Sequence, residues 1–101
     1  MPILLKSKNY RVFASIFKIG KGDRRAITWK EFVRTMKALG FDYCKNSGSK
    51  RAFRPGGSEF QHTFGWHAPH DGVLSAHLQN LMAIKLVRTF GWTAASFKLK
   101  Q

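Results

Sequence analysis

A chain of 101 residues has room for one small domain with a single modest core, and a content of 44% hydrophobic and 14% aromatic residues excludes a disordered chain despite the charge. Eighteen Lys and Arg against five Asp and Glu leave a formal charge of +13, a self-repulsion that a polyanion relieves, so nucleic acid is the first partner class to consider. The lone cysteine, Cys44, excludes an intrachain disulfide, the start Met1-Pro2-Ile3-Leu4-Leu5-Lys6 is too short an apolar run for a signal peptide, and no run approaches the roughly 20 apolar residues of a membrane span. The expectation is a cytoplasmic protein without a membrane partner.

Residues 1–26 read as a basic N-terminal extension, in which Lys6, Lys8, Arg11, Lys18, Lys21, Arg24 and Arg25 are answered only by Asp23. Within it Tyr10 to Ile19 is apolar and β-prone, which predicts a strand or a segment docked on the body, and Gly20-Lys21-Gly22-Asp23 reads as a turn. Thr28-Trp29-Lys30-Glu31 has the form of a capping box, so a helix starts there. Phe32, Val33, Met36 and Leu39 follow on one face and Gly40 stops it. Phe41 to Lys45 and Lys50 to Arg54 read as two strands, with turns at Asn46-Ser47-Gly48-Ser49 and Pro55-Gly56-Gly57-Ser58. Between Glu59 and His67 the apolar Phe60, Phe64 and Trp66 alternate with Gln61, Thr63 and His67, predicting a third strand with a buried face and a wet face that carries His67. Leu74, Leu78, Leu81, Met82, Leu86 and Phe90 predict a final helix within 73–90, closed by Gly91, with Ser75 as the cap of a late start. The expected fold class is therefore α+β: a 27–92 unit of helix, three-stranded antiparallel sheet and helix, both helices on one face of the sheet, followed by a 93–101 tail.

That order of elements, with Gly48-Ser49 at the first hairpin and His67-Ala68-Pro69-His70 before the last helix, resembles the HicA family of toxin ribonucleases from bacterial toxin-antitoxin pairs, over about residues 27 to 91. The resemblance implies a double-stranded-RNA-binding-domain-like fold, cleavage of messenger RNA, neutralisation by a HicB-like antitoxin protein, and an RNA contact through Ser49 at the hairpin. Members of the family commonly carry a histidine directly after Gly-Ser, where it is treated as catalytic; here that position is Lys50, followed by Arg51. A branch that is more similar has Gly-Ser-Arg at the hairpin and a His-Arg-Pro-His-Pro run after the third strand. Either the histidine has moved, or Lys50 marks an inactive form.

RNA can be cut by its own 2′-hydroxyl once a base removes the proton and an acid protonates the leaving 5′-oxygen. His67 and His70 are the candidates for that pair, with Lys50 and Arg51 holding the phosphate and its developing charge and Arg54 continuing the basic strip. Alternation aims Arg51 to one face and Lys50 with Arg54 to the other. The plainer alternatives are a turn whose imidazoles satisfy loop carbonyls, and a solvated basic surface. Asp71 orients His70, caps the next helix or starts a turn, His62 falls on the apolar face as a core or edge histidine, and His77 falls on a solvated helix face. Carboxylates without a clustered pattern and one thiol give no basis for a metal site, so no cofactor is expected. Cys44 reads as buried, and Trp29, Trp66 and Trp92 as core, with an exposed Trp66 able to stack on a base.

Overall fold

The computed structural model describes residues 3–18, 26–45, 48, 50–56 and 62–100. In chain order they form β1 (Ile3–Leu5), α1 (Ser7–Ile16), β2 (Ile27–Thr28), α2 (Trp29–Ala38), β3 (Asp42–Lys45), β4 (Lys50–Arg54), β5 (Phe64–His67), β6 (Val73–Leu74), α3 (Ala76–Phe90), a 3-10 turn (Ala94–Ser96) and β7 (Phe97–Leu99). The α+β class expected from the sequence holds, with α2, β3, β4, β5 and α3 in the expected order and β6 between β5 and α3. Gly20 to Asp23, Ser49, Phe60 and most of the two turns at 46–49 and 55–58 lie outside the described residues.

Of the two readings of Tyr10 to Ile19, a strand or a segment docked on the body, the strand is corrected: Ile19 lies outside the described residues, and through Ile16 the segment is the helix α1, packed against α2 and α3. Its buried positions Asn9, Val12, Phe13 and Ile16 recur at helical intervals, and the single face they define outweighs the β-prone composition. The helix unwinds at Phe17 and Lys18, the latter with φ +55°, a left-handed conformation that ends a helix.

At α2 the predicted capping box is formed. The Glu31 amide donates to Thr28 Oγ1 at 3.1 Å and the Thr28 amide to Glu31 Oε1 at 3.3 Å, which satisfies two of the donors that a helix start leaves open. The stop is equally local. Gly40 takes φ +98° and its amide donates to the Lys37 carbonyl at 2.9 Å, while the Phe41 amide reaches the Met36 carbonyl at 3.1 Å, the paired bonds of a Schellman turn. Phe32 and Met36 are fully buried, with Val33 and Leu39 packed at their side. Ser75 caps α3 by accepting from the Leu78 amide, so the predicted late start is the one found, and Val73 and Leu74 before it pair instead with Thr28 and Ile27.

β3, β4 and β5 form an antiparallel sheet in that order. Directly paired residues share a face, so Tyr43, Phe53 and Phe64 form one row toward the helices and Lys45, Arg51 and Trp66 the next row on that same face. The opposite face carries Asp42 with Arg54, Cys44 with Ala52 and Gly65, and Lys50 with His67. Phe32 of α2 meets the Phe53 ring edge-on at 5.3 Å, and Met82 and Leu86 of α3 close the same core. The third strand is shorter than predicted: His62 and Thr63 precede it and are exposed, so His62 is not a core histidine. Leu81, placed among the apolar positions of the last helix, is also exposed, at 42%.

Both ends of the chain join this core. α1 lies against α2 and α3 and buries Val12, Phe13 and Ile16 completely. β7 pairs in parallel with β1, Leu4 opposite Lys98, and stacks Phe97 on Phe13 at 4.4 Å with Trp92 edge-on to Phe13 at 5.7 Å. Buried polar groups knit the helices together. Ser15 Oγ donates to Gln79 Oε1 at 2.6 Å, and Gln79 Nε2 donates to the Leu74 carbonyl at 2.8 Å. Asn9 Oδ1 accepts from Thr35 Oγ1 at 3.2 Å and from Arg34 Nε at 3.3 Å. Among the described residues no helix is long and apolar enough to cross a membrane.

Candidate nucleic-acid interface

The antiparallel register of β4 and β5 decides which of the predicted residues meet. Lys50 lies directly opposite His67, and Arg51 opposite Trp66. Since both pairs sit at the open end of the hairpin between the two strands, an ammonium and an imidazole stand side by side on one face and a guanidinium and an indole on the other. A cavity of about 600 Å³ opens here, lined by Lys50, Arg51, Trp66, His67 and His70 and closed along α3 by Leu78 and Lys85. Separated by Ala68 and Pro69, His67 and His70 therefore reach the same space as the two cations of the hairpin.

Each wall is fixed by backbone bonds. Arg51 Nη1 donates to the Gly48 carbonyl at 2.8 Å and to the Lys50 carbonyl at 3.0 Å, which holds the guanidinium against the hairpin and keeps its remaining N–H groups for a ligand. The turn that carries His70 is fastened at three points: the Gly72 amide to the Pro69 carbonyl at 3.1 Å, the Trp29 amide to the Gly72 carbonyl at 2.8 Å, and the Val73 amide to Asp71 Oδ1 at 3.1 Å. The last bond assigns Asp71 to turn formation rather than to the cap of α3, which is Ser75. Among the described residues no carboxylate lines the cavity, whose ionisable side chains are imidazoles and cations.

Trp66 is half-buried, its ring stacked parallel to Phe64 with centroids 5.9 Å apart. Lys85, a lining residue that the sequence reading missed, donates to the Gly65 carbonyl and holds its ammonium 5.3 Å from the Phe64 ring centroid and 5.7 Å from that of Trp66, a cation–π contact. The signal that could have found it is slight: a lysine three positions after Met82 and one before Leu86, at the border of a buried stripe.

The remaining candidates lie apart. Arg54 is exposed at the far end of β4, opposite Asp42, and does not reach the cavity. Ser49 lies outside the described residues. His77 is exposed on α3, as predicted, and Cys44 is half-buried on the sheet face away from the helices rather than fully enclosed. Trp29 and Trp92 are core, 8% and 4% exposed. Among the described residues no three His, Cys, Asp or Glu side chains converge as metal ligands.

No protein-family model matches the sequence, and neither curated proteins nor solved structures give a match.

Proposed function

We propose that this protein is a HicA-like toxin, an endoribonuclease with a double-stranded-RNA-binding-domain-like fold that cuts messenger RNA by histidine acid–base chemistry and is neutralised in the cytoplasm by a HicB-like antitoxin. The observation that carries the catalytic part is the cross-strand pair of Lys50 and His67, opening with His70 and Arg51 on one cavity. A charge of +13 supplies the attraction for the polyanion. The toxin identity and the antitoxin rest on the resemblance of the 27–91 region.

In this mechanism one imidazole takes the proton of the 2′-hydroxyl as its oxygen attacks the adjacent phosphorus. The other, as imidazolium, protonates the 5′-oxygen as the P–O5′ bond breaks, leaving a 2′,3′-cyclic phosphate and a 5′-hydroxyl. Lys50 and Arg51 hold the non-bridging oxygens, whose charge grows in the transition state. A histidine at position 67, across the strand from the hairpin position that family members give to histidine, reaches the same phosphate from the neighbouring strand.

The test is cleavage of end-labelled messenger RNA by the purified protein in excess EDTA. The wild type is expected to leave cyclic phosphate ends, and His67→Ala or His70→Ala to cut at least about 100-fold more slowly. Tight RNA binding with no cutting by the wild type would replace this reading with a non-catalytic RNA-binding module.

A further inference from the structure

A second recess lies on the other side of the sheet row that bounds the site. It occupies about 380 Å³ between α2 and β3 and is lined by Trp29, Lys30, Arg34, Lys37, Tyr43 and Lys45, with Val33. Four of these side chains are cations and none is a carboxylate. Its floor is rigid: Trp29 Nε1 donates to the Tyr43 hydroxyl at 3.1 Å, and the Lys37 ammonium stands 6.0 Å from the Tyr43 ring centroid. Arg34 is tied through Nε to Asn9 of α1 at 3.3 Å, so one edge of its guanidinium is anchored while the other is available. Lys30, Arg34, Lys37 and Lys45 are all exposed.

One row of the sheet links the recess to the first cavity. Lys45 pairs with Arg51, and Arg51 with Trp66, in one row across the three strands on the helix-facing side. Lys45 lines the recess, and Arg51 and Trp66 line the cavity. Neighbouring strands stand about 4.8 Å apart, so the row bridges the two depressions over about 10 Å. Cations spaced along a path with aromatic faces among them match the chemistry of a single-stranded nucleic acid, whose phosphates track positive charge while its bases stack.

We propose that the recess between α2 and β3 anchors the sugar–phosphate backbone of single-stranded RNA beyond the scissile phosphate, and that the Lys45–Arg51–Trp66 row carries the strand from one depression to the other. The identity of the strand rests on the RNA reading above; the anchoring itself needs no cleavage. Lys30, Lys37 and Lys45 bind phosphates there, and the edge of Arg34 that faces away from Asn9 binds a fourth.

The experiment measures anisotropy of a fluorescein-labelled 2′-O-methyl oligouridylate 12-mer, which lacks the 2′-hydroxyl and cannot be cut, across a salt series. Wild type is compared with Lys30→Gln/Lys37→Gln/Lys45→Gln and with Lys8→Gln/Lys98→Gln/Lys100→Gln, which removes the same charge from α1 and the C-terminal end. The recess variant is expected to bind the 12-mer at least about tenfold more weakly, with the log–log salt slope shallower by about 2, and a 4-mer less than about twofold more weakly. The second variant is expected to stay within about threefold of wild type for both lengths. Equal losses in the two variants would reduce the effect to net charge and overturn the proposal, as would unchanged binding of the 12-mer by the recess variant. Displacement of the 12-mer by poly-L-glutamate as effectively as by unlabelled RNA would overturn it in favour of an acidic protein. Loss of binding in the recess variant beside a wild type that never cuts RNA would leave the anchor standing and remove the ribonuclease.

Discussion

The unit of α2, the three-stranded meander and α3 differs from the layer of β1, α1 and β7 that closes over it in how far apart its partners lie along the chain. In the meander, strands pair with their sequence neighbours and the helix ends are set by residues within one turn, such as Thr28 with Glu31. In the terminal layer, Ile3 pairs with Phe97 and Phe13 stacks on that same phenylalanine. Both regions bury aromatic rings to completion, Phe53 and Phe64 in one and Phe13 in the other. A segment rich in lysine and arginine can thus be a structural wall whose apolar stripe is as deep as that of the helices it packs against.

If the terminal layer were a detachable arm, its loss would leave the rest folded, so Phe13→Ala is the substitution most able to break the comparison. Removing a fully buried phenylalanine is expected to cost about 3–5 kcal/mol, read as a single lowered midpoint in urea denaturation. Two separate transitions, or an unmoved midpoint, would make the layer an appendage. Gln79→Ala acts where the two regions are joined. It removes the acceptor that Gln79 gives the Ser15 hydroxyl and the donor it gives the Leu74 carbonyl, for an expected cost of about 1–3 kcal/mol, and a Gln79→Ala/Ser15→Ala pair should recover part of it by double-mutant cycle. Thr28→Ala sharpens the other side. The loss of one cap in the meander unit is expected to cost about 1 kcal/mol, the smallest of the three in the same denaturation series.

The same contrast governs what the sequence reveals. α2 was legible at both ends because Thr28, Glu31 and Gly40 act on their immediate neighbours, and the alternation of Phe64, Gly65, Trp66 and His67 correctly set His67 on the wet face. That α1 is a helix was not legible because its buried stripe includes Asn9, and Ser15 beside it is buried as well. These polar residues are admitted to the interior by Thr35 and Gln79, 26 and 64 residues away, and no window of sequence contains that compensation. His62 was misplaced by extending the alternation past Phe64, where the strand begins. The members of the candidate site were named from their chemistry, but the pairing of Lys50 with His67 depends on a register fixed by Phe53 opposite Phe64. The contribution of Lys85 depends on how α3 lies along the sheet edge.

The parallel pair of β1 and β7 has a consequence during synthesis. Strand partners that stand at positions 3 and 97 cannot meet until residue 97 has left the ribosome, whereas the meander can form as soon as its own residues emerge. Until then the stripe of Val12, Phe13 and Ile16 lacks Phe97 as its cover, and the nascent chain presents a greasy, positively charged helix to whatever surrounds it. The strand at 97–99 seals the one at 3–5, more than ninety residues after it was made.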